Sequence, residues 1–388
     1  MWVTNTHVHV PPNFSAFATP RDVVETAAAE KVRVLGVSNF YDQHVYGMIR
    51  DLADEAGVLP EYGLEFITVL PDLEDSGVRV NDPANPGRMY LTGKGIDPFR
   101  TPSPRAGEIA GRIRRGNDAR ASEMVDRVAR CFSSVGFDTD LDAEGIIAEV
   151  ASRAGVPEAW VSLQERHIAR AFQEALDRVP VLQRKEILTR AYGVPQKADV
   201  DDPVAVQSEI RARLLKAGTP GFVPEVALSF EDACAYILDM GGIPCYPILA
   251  DGCDPRCPFE ESAEGLAQEL VRRGIHAAEL IPNRNHRVVV DEYVRALTRA
   301  GLIVMAGTEH NTQDKIPLNP ACLDGEPSPL ARQAFFEGTC VIVAHATRVR
   351  RSMAGYVDSS GRLVQDDQGV RGLVREGEEI LADGGEAG

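Results

Sequence analysis

The stretch TNTHVHV, residues 4 to 10, sets His7 and His9 one residue apart in an alternating apolar and polar run. Residues two apart on a strand face the same side, so both imidazoles can approach one cation. Further along, Glu65 lies inside the apolar run GLEFITV, and GTEHNT delivers Glu309 and His310. A carboxylate in an apolar strand is costly unless it is paired or metal-bound. Imidazole and carboxylate together suit zinc, manganese or iron. A cation held this way polarises a bound oxygen or brings the pKa of a bound water down to about 7. The expected ligand set is His7, His9 and Glu65, completed by Glu309 or His310.

The elements that must position these residues alternate. WVTNTHVHV reads as a strand, and PRDVVETAAAEK as a helix with Thr19 as N-cap and Pro20 at its first position. VRVLGVSNF is a strand, VYGMIRDLADEAG a helix ending at Gly57, and YGLEFITVL a strand. Residues 71 to 104 are rich in Asp, Pro, Gly and Asn and read as long loops. Residues 105 to 217 show only helical periodicity, with Ile168, Phe172 and Leu176 on one face.

Alternation resumes near residue 228, through the strands GGIPCYPIL, IHAAELIPN, LIVMAGTEH and TCVIVAH, each joined to the next by a helix. Seven strands, each feeding a helix or loop, predict an α/β fold: a distorted parallel (β/α)7 barrel with an inserted all-helical subdomain. The expected boundaries are 1–104 and 218–370 for the barrel, 105–217 for the insertion, and 371–388 for an acidic tail that frays.

Composition narrows the function. With 41 Lys and Arg against 58 Asp and Glu, the net charge is −17, which repels a phosphate backbone and argues against nucleic-acid binding. There is no run of 18 apolar residues to span a membrane and no leader pattern, and the seven cysteines read as reduced thiols of a cytoplasmic protein. Cys253 and Cys257 have C-x3-C spacing but lack the second pair of a zinc knuckle. The expected partner is a small anionic molecule. A homo-oligomer is compatible with the composition.

In a parallel barrel, catalytic residues gather at the carboxyl ends of the strands. Those ends are expected to present Asn39, Asp42, His44, Tyr246, Asp251, Glu279, Asn283, Arg284, His286 and His345 besides the ligand set. The loop RVNDPANPGRMYLTGKG, residues 79 to 95, follows the Glu65 strand and is expected to fold over the mouth, where Arg88 and Lys94 suit a phosphate or carboxylate. His44 reads as a surface residue at a helix start, and His167 as a packing or solvated residue on a helix of the insertion.

THVHV, LGVSNF, GLEF, GGIPCYP, GIHAAELIPN and AGTEHN, in this order, resemble the PHP (polymerase and histidinol phosphatase) family over roughly residues 1–70 and 228–312. The resemblance implies a distorted seven-stranded barrel, up to three divalent metals and hydrolysis of phosphate esters. His7 and His9 match the family's first histidine pair, and Glu65 its metal-bridging glutamate. Asn39 and Phe40 stand where the family has Asp-His, and Tyr246 where it has a histidine before Pro247. Gly307-Thr308-Glu309-His310-Asn311 departs from the family's Gly-Ser-Asp-x-His. These departures favour one or two metals over three. The same features resemble, more remotely, amidohydrolase-type barrels, uronate isomerases included.

The leading expectation is a metal-dependent phosphoesterase in which Arg88, Lys94 and Arg284 hold the anionic part of the substrate, Asn39 and Tyr246 line the site, and His286 or His345 is the general acid. The alternatives are a metal-dependent sugar-acid isomerase or lyase, with Glu309 moving the proton, and a barrel that retains the outline without catalysis.

Overall fold

The structure is a computed structural model and describes residues 2–364 and 367–383. It divides into two compact units: residues 1–10, 20–110 and 227–388, and residues 11–19 and 111–226.

The first unit is built on β1 (Val3–Val8), α1 (Pro20–Ala29), β2 (Val32–Phe40), α2 (Tyr46–Ala56), β3 (Leu59–Val69), α3 (Pro71–Asp75) and β4 (Arg88–Lys94). The long helix α4 (Pro104–Ser133) then leads into α5 (Ala143–Ala154), α6 (Glu165–Leu176), α7 (Val181–Tyr192) and α8 (Pro203–Ile210) of the second unit. The chain continues in the first unit with β5 (Leu228–Ser229), α9 (Phe230–Asp239), β6 (Ile243–Ile248), α10 (Ala263–Arg272), β7 (Ala277–Leu280), α11 (Arg287–Arg299), β8 (Ile303–Ala306), α12 (Pro329–Arg350) and α13 (Asp367–Ala382).

The strands form one sheet in the order β1-β2-β3-β4-β6-β7-β8, with two-residue β5 paired to β3. All neighbours on this path are parallel except those of β4, which runs antiparallel to both β3 and β6. The sheet curls until its ends meet just past β8. Val8 and Glu309 form a parallel bridge, Glu309 N donates to His7 O at 2.7 Å, and His9 N donates to Glu309 O at 2.8 Å. Gly307 is required at this seam, because a Cβ there would fall 2.2 Å from His7 Cβ. The result is a distorted, parallel-dominated seven-stranded barrel.

The path holds seven strands, but not the seven expected. TCVIVAH is not a strand. It lies inside α12, a 22-residue helix that starts at Pro329 after the Ser328 cap, whose hydroxyl accepts from Ala331 N. The residues Cys340–Ala344 pack in apolar clusters with Ile243, Met305, Tyr356 and Leu373 on one side and Val34 and Leu59 on the other. A helix buried this fully is apolar nearly all round, and its periodicity does not separate it from a buried strand. The vacant place is filled by β4, in a segment expected to be loop. The C-terminal stretch expected to fray is helical through Ala382, and residues 384–388 lie outside the described residues.

The second unit has its own core of Met124, Val128, Phe132, Ile168, Phe172, Leu188, Ile210 and Leu214. His167 packs against Phe14 with ring centroids 5.3 Å apart, and its Nδ1 accepts from Gln164 N at the start of α6. It begins at Gly111 rather than residue 105, and it also takes Pro11–Thr19, placed with the barrel on sequence.

Candidate metal centre

His7 and His9 leave the end of β1 side by side, ring centroids 5.2 Å apart, and Glu65 reaches toward them from β3. One ligand atom from each of the three lies within 4.8 Å of the others. His7 Nε2 is 3.9 Å from Glu65 Oε1, and His9 Nε2 is 3.6 Å from Glu65 Oε2. All three side chains are buried. This is the only such group of three among the described residues.

Beneath them lies a row of buried polar side chains along the barrel interior. His7 Nδ1 is 2.6 Å from Glu279 Oε2 on β7, and Lys94 Nζ on β4 is 2.9 Å from Glu279 Oε1. Thr6 Oγ1 also donates to Glu279. Lys94 Nζ donates to Thr6 O at 2.6 Å and Ser38 Oγ at 3.1 Å. Burial alone would push Glu279 up, but Lys94 and His7 overcome it and hold the carboxyl at about 2. An ionised Glu279 accepts the His7 Nδ1 proton, which leaves Nε2, on the Glu65 side, as the nitrogen that could coordinate an ion.

His7 Nε2 is buried and makes no hydrogen bond among the described residues. Such a group is costly unless something else satisfies it. Burial pushes Glu65 above the usual carboxylate range, with Glu309 adding to this and His7 opposing it. Two imidazole nitrogens, one carboxylate and a carboxylate behind one histidine fit a zinc-, manganese- or iron-type ion.

Glu309 lies beside this group. Burial opposes its ionisation, but Arg284, His7 and His9 together lower its pKa. Arg284 is 2.6 Å from Glu309 Oε2, and Asn311 Nδ2 donates to the same oxygen at 2.7 Å.

Other expected residues are placed elsewhere. His310 packs its ring between Thr308 Oγ1 at 2.8 Å and Ile316 O at 2.9 Å, so both nitrogens are engaged outside the cluster. Asn39 Oδ1 accepts from Val10 N, fastening the chain just after His9. Tyr246 projects to the opposite face of the sheet from Glu279, because it pairs with Ala278 while Pro247 pairs with Glu279. Its hydroxyl donates to Glu260 at 2.7 Å. Arg88 opens β4 and faces Glu74 at 3.8 Å.

Lys94 is not a loop residue at the mouth. Fully buried, it is the counter-ion of Glu279. His345 is not at a strand end. On α12 its Nε2 donates to Gly241 O and its Nδ1 accepts from Tyr356 N, and burial pulls its pKa down to about 4. His286 precedes α11, mostly exposed, with Nδ1 2.8 Å from Asp251 Oδ2.

Glu279 is among the expected strand-end residues, but the sequence assigned it no role in the site. A glutamate in the apolar run AAEL carries the same signal as Glu65 in GLEF.

No family model matches the chain, and no curated protein matches it. Among solved structures it is similar to a protein assigned as a metal-dependent phosphoesterase, from Bifidobacterium adolescentis. The TM-score is 0.59 at 16% identity, over 86% of this chain and 96% of that one. It is also similar to an amidohydrolase from Chromobacterium violaceum, solved with sulfate and no metal. There the TM-score is 0.53 at 18% identity, over 85% of this chain and 95% of that one. At these identities the likeness establishes the fold: the chain shares the barrel of these two proteins.

Proposed function

We propose that this protein is a divalent-metal-dependent hydrolase that cleaves a phosphate ester of a small anionic metabolite. The observation that carries the reading is the buried His7, His9 and Glu65 group, with Glu279 fixing the tautomer of His7. The similarity in fold to a protein assigned as a metal-dependent phosphoesterase supports the same class. A zinc, manganese or iron ion bound by His7, His9 and Glu65 would supply Lewis acidity and an activated water at neutral pH.

The chain's own residues divide the remaining work. Glu309 adds a carboxylate beside the three ligands, and Asn311 holds it in place. Arg284, partly exposed and paired on one side to Glu309, offers its remaining donors to the anionic group of the substrate. His286, its Nδ1 occupied by Asp251, presents Nε2 as proton donor to the leaving oxygen.

The test is phosphate release from a panel of small phosphate monoesters by protein loaded with Zn, Mn or Fe, beside metal-free protein and His9→Ala. Metal-dependent release that is lost in the variant is the expected result. No release from any ester by fully loaded protein overturns the phosphoesterase reading.

A further inference from the structure

The loop after β6 carries two thiols in contact. Cys253 Sγ lies 4.0 Å from Cys257 Sγ and 3.4 Å from Pro255 O. Cys253 is half-buried and Cys257 is buried. No other two thiols touch among the described residues.

This loop is fastened on both sides. Glu260 accepts from Leu249 N at 3.1 Å and Ala250 N at 2.7 Å. Asp251 accepts from Asn285 Nδ2 at 2.8 Å and His286 N at 3.2 Å. Gly252, directly before Cys253, packs so closely on Arg284 that a Cβ there would come 3.1 Å from Arg284 Cβ. Arg284 in turn pairs with Glu309. The backbone just before Cys253 thus lies close against Arg284 at Gly252 and is tied to His286 through Asp251.

We propose that Cys253 and Cys257 form a reversible dithiol–disulfide pair whose closure displaces the Arg284–His286 segment. A disulfide has an S–S distance of about 2.05 Å, so closing it from 4.0 Å brings the two sulfurs together by roughly 2 Å and strains the short loop between them. The oxidant is a low-molecular-weight disulfide. The more accessible Cys253 thiolate attacks one of its sulfurs, forming a mixed disulfide and expelling one small thiolate, which takes up a proton. Cys257 gives up its proton and attacks Cys253 Sγ, forming the internal disulfide and expelling the second small thiol. Two protein thiols are oxidised and one small disulfide is reduced to two thiols.

The redox step and the displacement are independent of the enzymatic reading. Metal uptake by the reduced protein tests the enzymatic reading separately.

The experiment equilibrates the full chain with oxidised and reduced glutathione in varying ratio, traps free thiols, and locates them by peptide mass spectrometry. Hydrogen exchange is followed at residues 284–287 in the fully reduced and oxidised protein. Expected are joint loss of the Cys253 and Cys257 thiols without a bound glutathione, no such loss in Cys257→Ser, and altered exchange at His286 N. Thiols that stay reduced in excess oxidised glutathione, or wild-type protein that stops at a Cys253 adduct, overturn the pair. A closed disulfide with unchanged exchange at 284–287 overturns the coupling.

Discussion

His7 Nδ1 lies 2.6 Å from Glu279 Oε2 across the barrel interior, and this contact decides which nitrogen of His7 faces Glu65. Histidines that bind metals are commonly oriented by a carboxylate on the other ring nitrogen, and losing it costs about 10- to 100-fold in metal affinity. Glu279→Gln is expected to weaken Zn or Mn binding by that factor in a chelator competition and, because it unpairs buried Lys94, to lower stability as well. Unchanged affinity would remove Glu279 from the account.

Lys94 and Glu279 also hold each other as a buried pair 2.9 Å apart. Removing one member of such a pair costs about 3–5 kcal/mol, because the other charge stays buried without compensation. Lys94→Met is expected to lower unfolding free energy by about 3 kcal/mol in urea, toward the low end because Thr6 and His7 still contact Glu279. A change under 1 kcal/mol would contradict the ionised pair.

Glu61 gives a pH prediction. Burial pushes its carboxyl up to about 7, against the opposing pull of Lys94 and Gly95 N. The unfolded chain releases this proton near pH 4.3 and the folded one near 7, so between them the folded state binds more protons. Stability is therefore present below the unfolded pKa and is lost as pH rises toward 7. At 1.36 kcal/mol per unit this loss is at most about 3–4 kcal/mol for metal-free protein. Urea midpoints at pH 5 and 7.5 are expected to fall less for Glu61→Gln than for the wild type. Parallel changes would contradict the buried neutral carboxyl.

His345 is a test of placement. It satisfies Gly241 O and Tyr356 N, two buried backbone groups. Leaving both unpaired costs about 2–6 kcal/mol. His345→Ala is expected to lower stability by that amount in urea and to leave metal content unchanged. A selective loss of activity at unchanged stability would return His345 to the catalytic residues.

In the proposed function Arg284 would give an anionic substrate charge-assisted hydrogen bonds, each about 1.5–3 kcal/mol. Arg284→Met is expected to raise KM for a phosphate ester about 10- to 100-fold with metal content unchanged. An unaltered KM would place the anion subsite elsewhere.

The histidine pair was legible because a period of two on a strand fixes both side chains on one face, and Glu65 because an apolar strand tolerates a carboxylate only for a purpose. The same alternation misleads at Tyr246, expected to line the site, which pairs with Ala278 and faces away from Glu279. β4 was hidden because Arg88–Lys94 follows a stretch of turn residues and places a lysine inside the barrel. That lysine is tolerable only beside Glu279, a partner 185 positions away that no local pattern reveals. The run TCVIVAH failed for a different reason: it is mostly apolar because this middle stretch of α12 is buried on every side.

The central claim is that His7, His9 and Glu65 bind a metal, and elemental analysis tests it most directly. Protein purified without chelator is compared with the His7→Ala, His9→Ala double variant. The account predicts at least one equivalent of Zn, Mn or Fe in the wild type and none in the variant. No metal in the wild type, even after incubation with Zn and Mn, would contradict it.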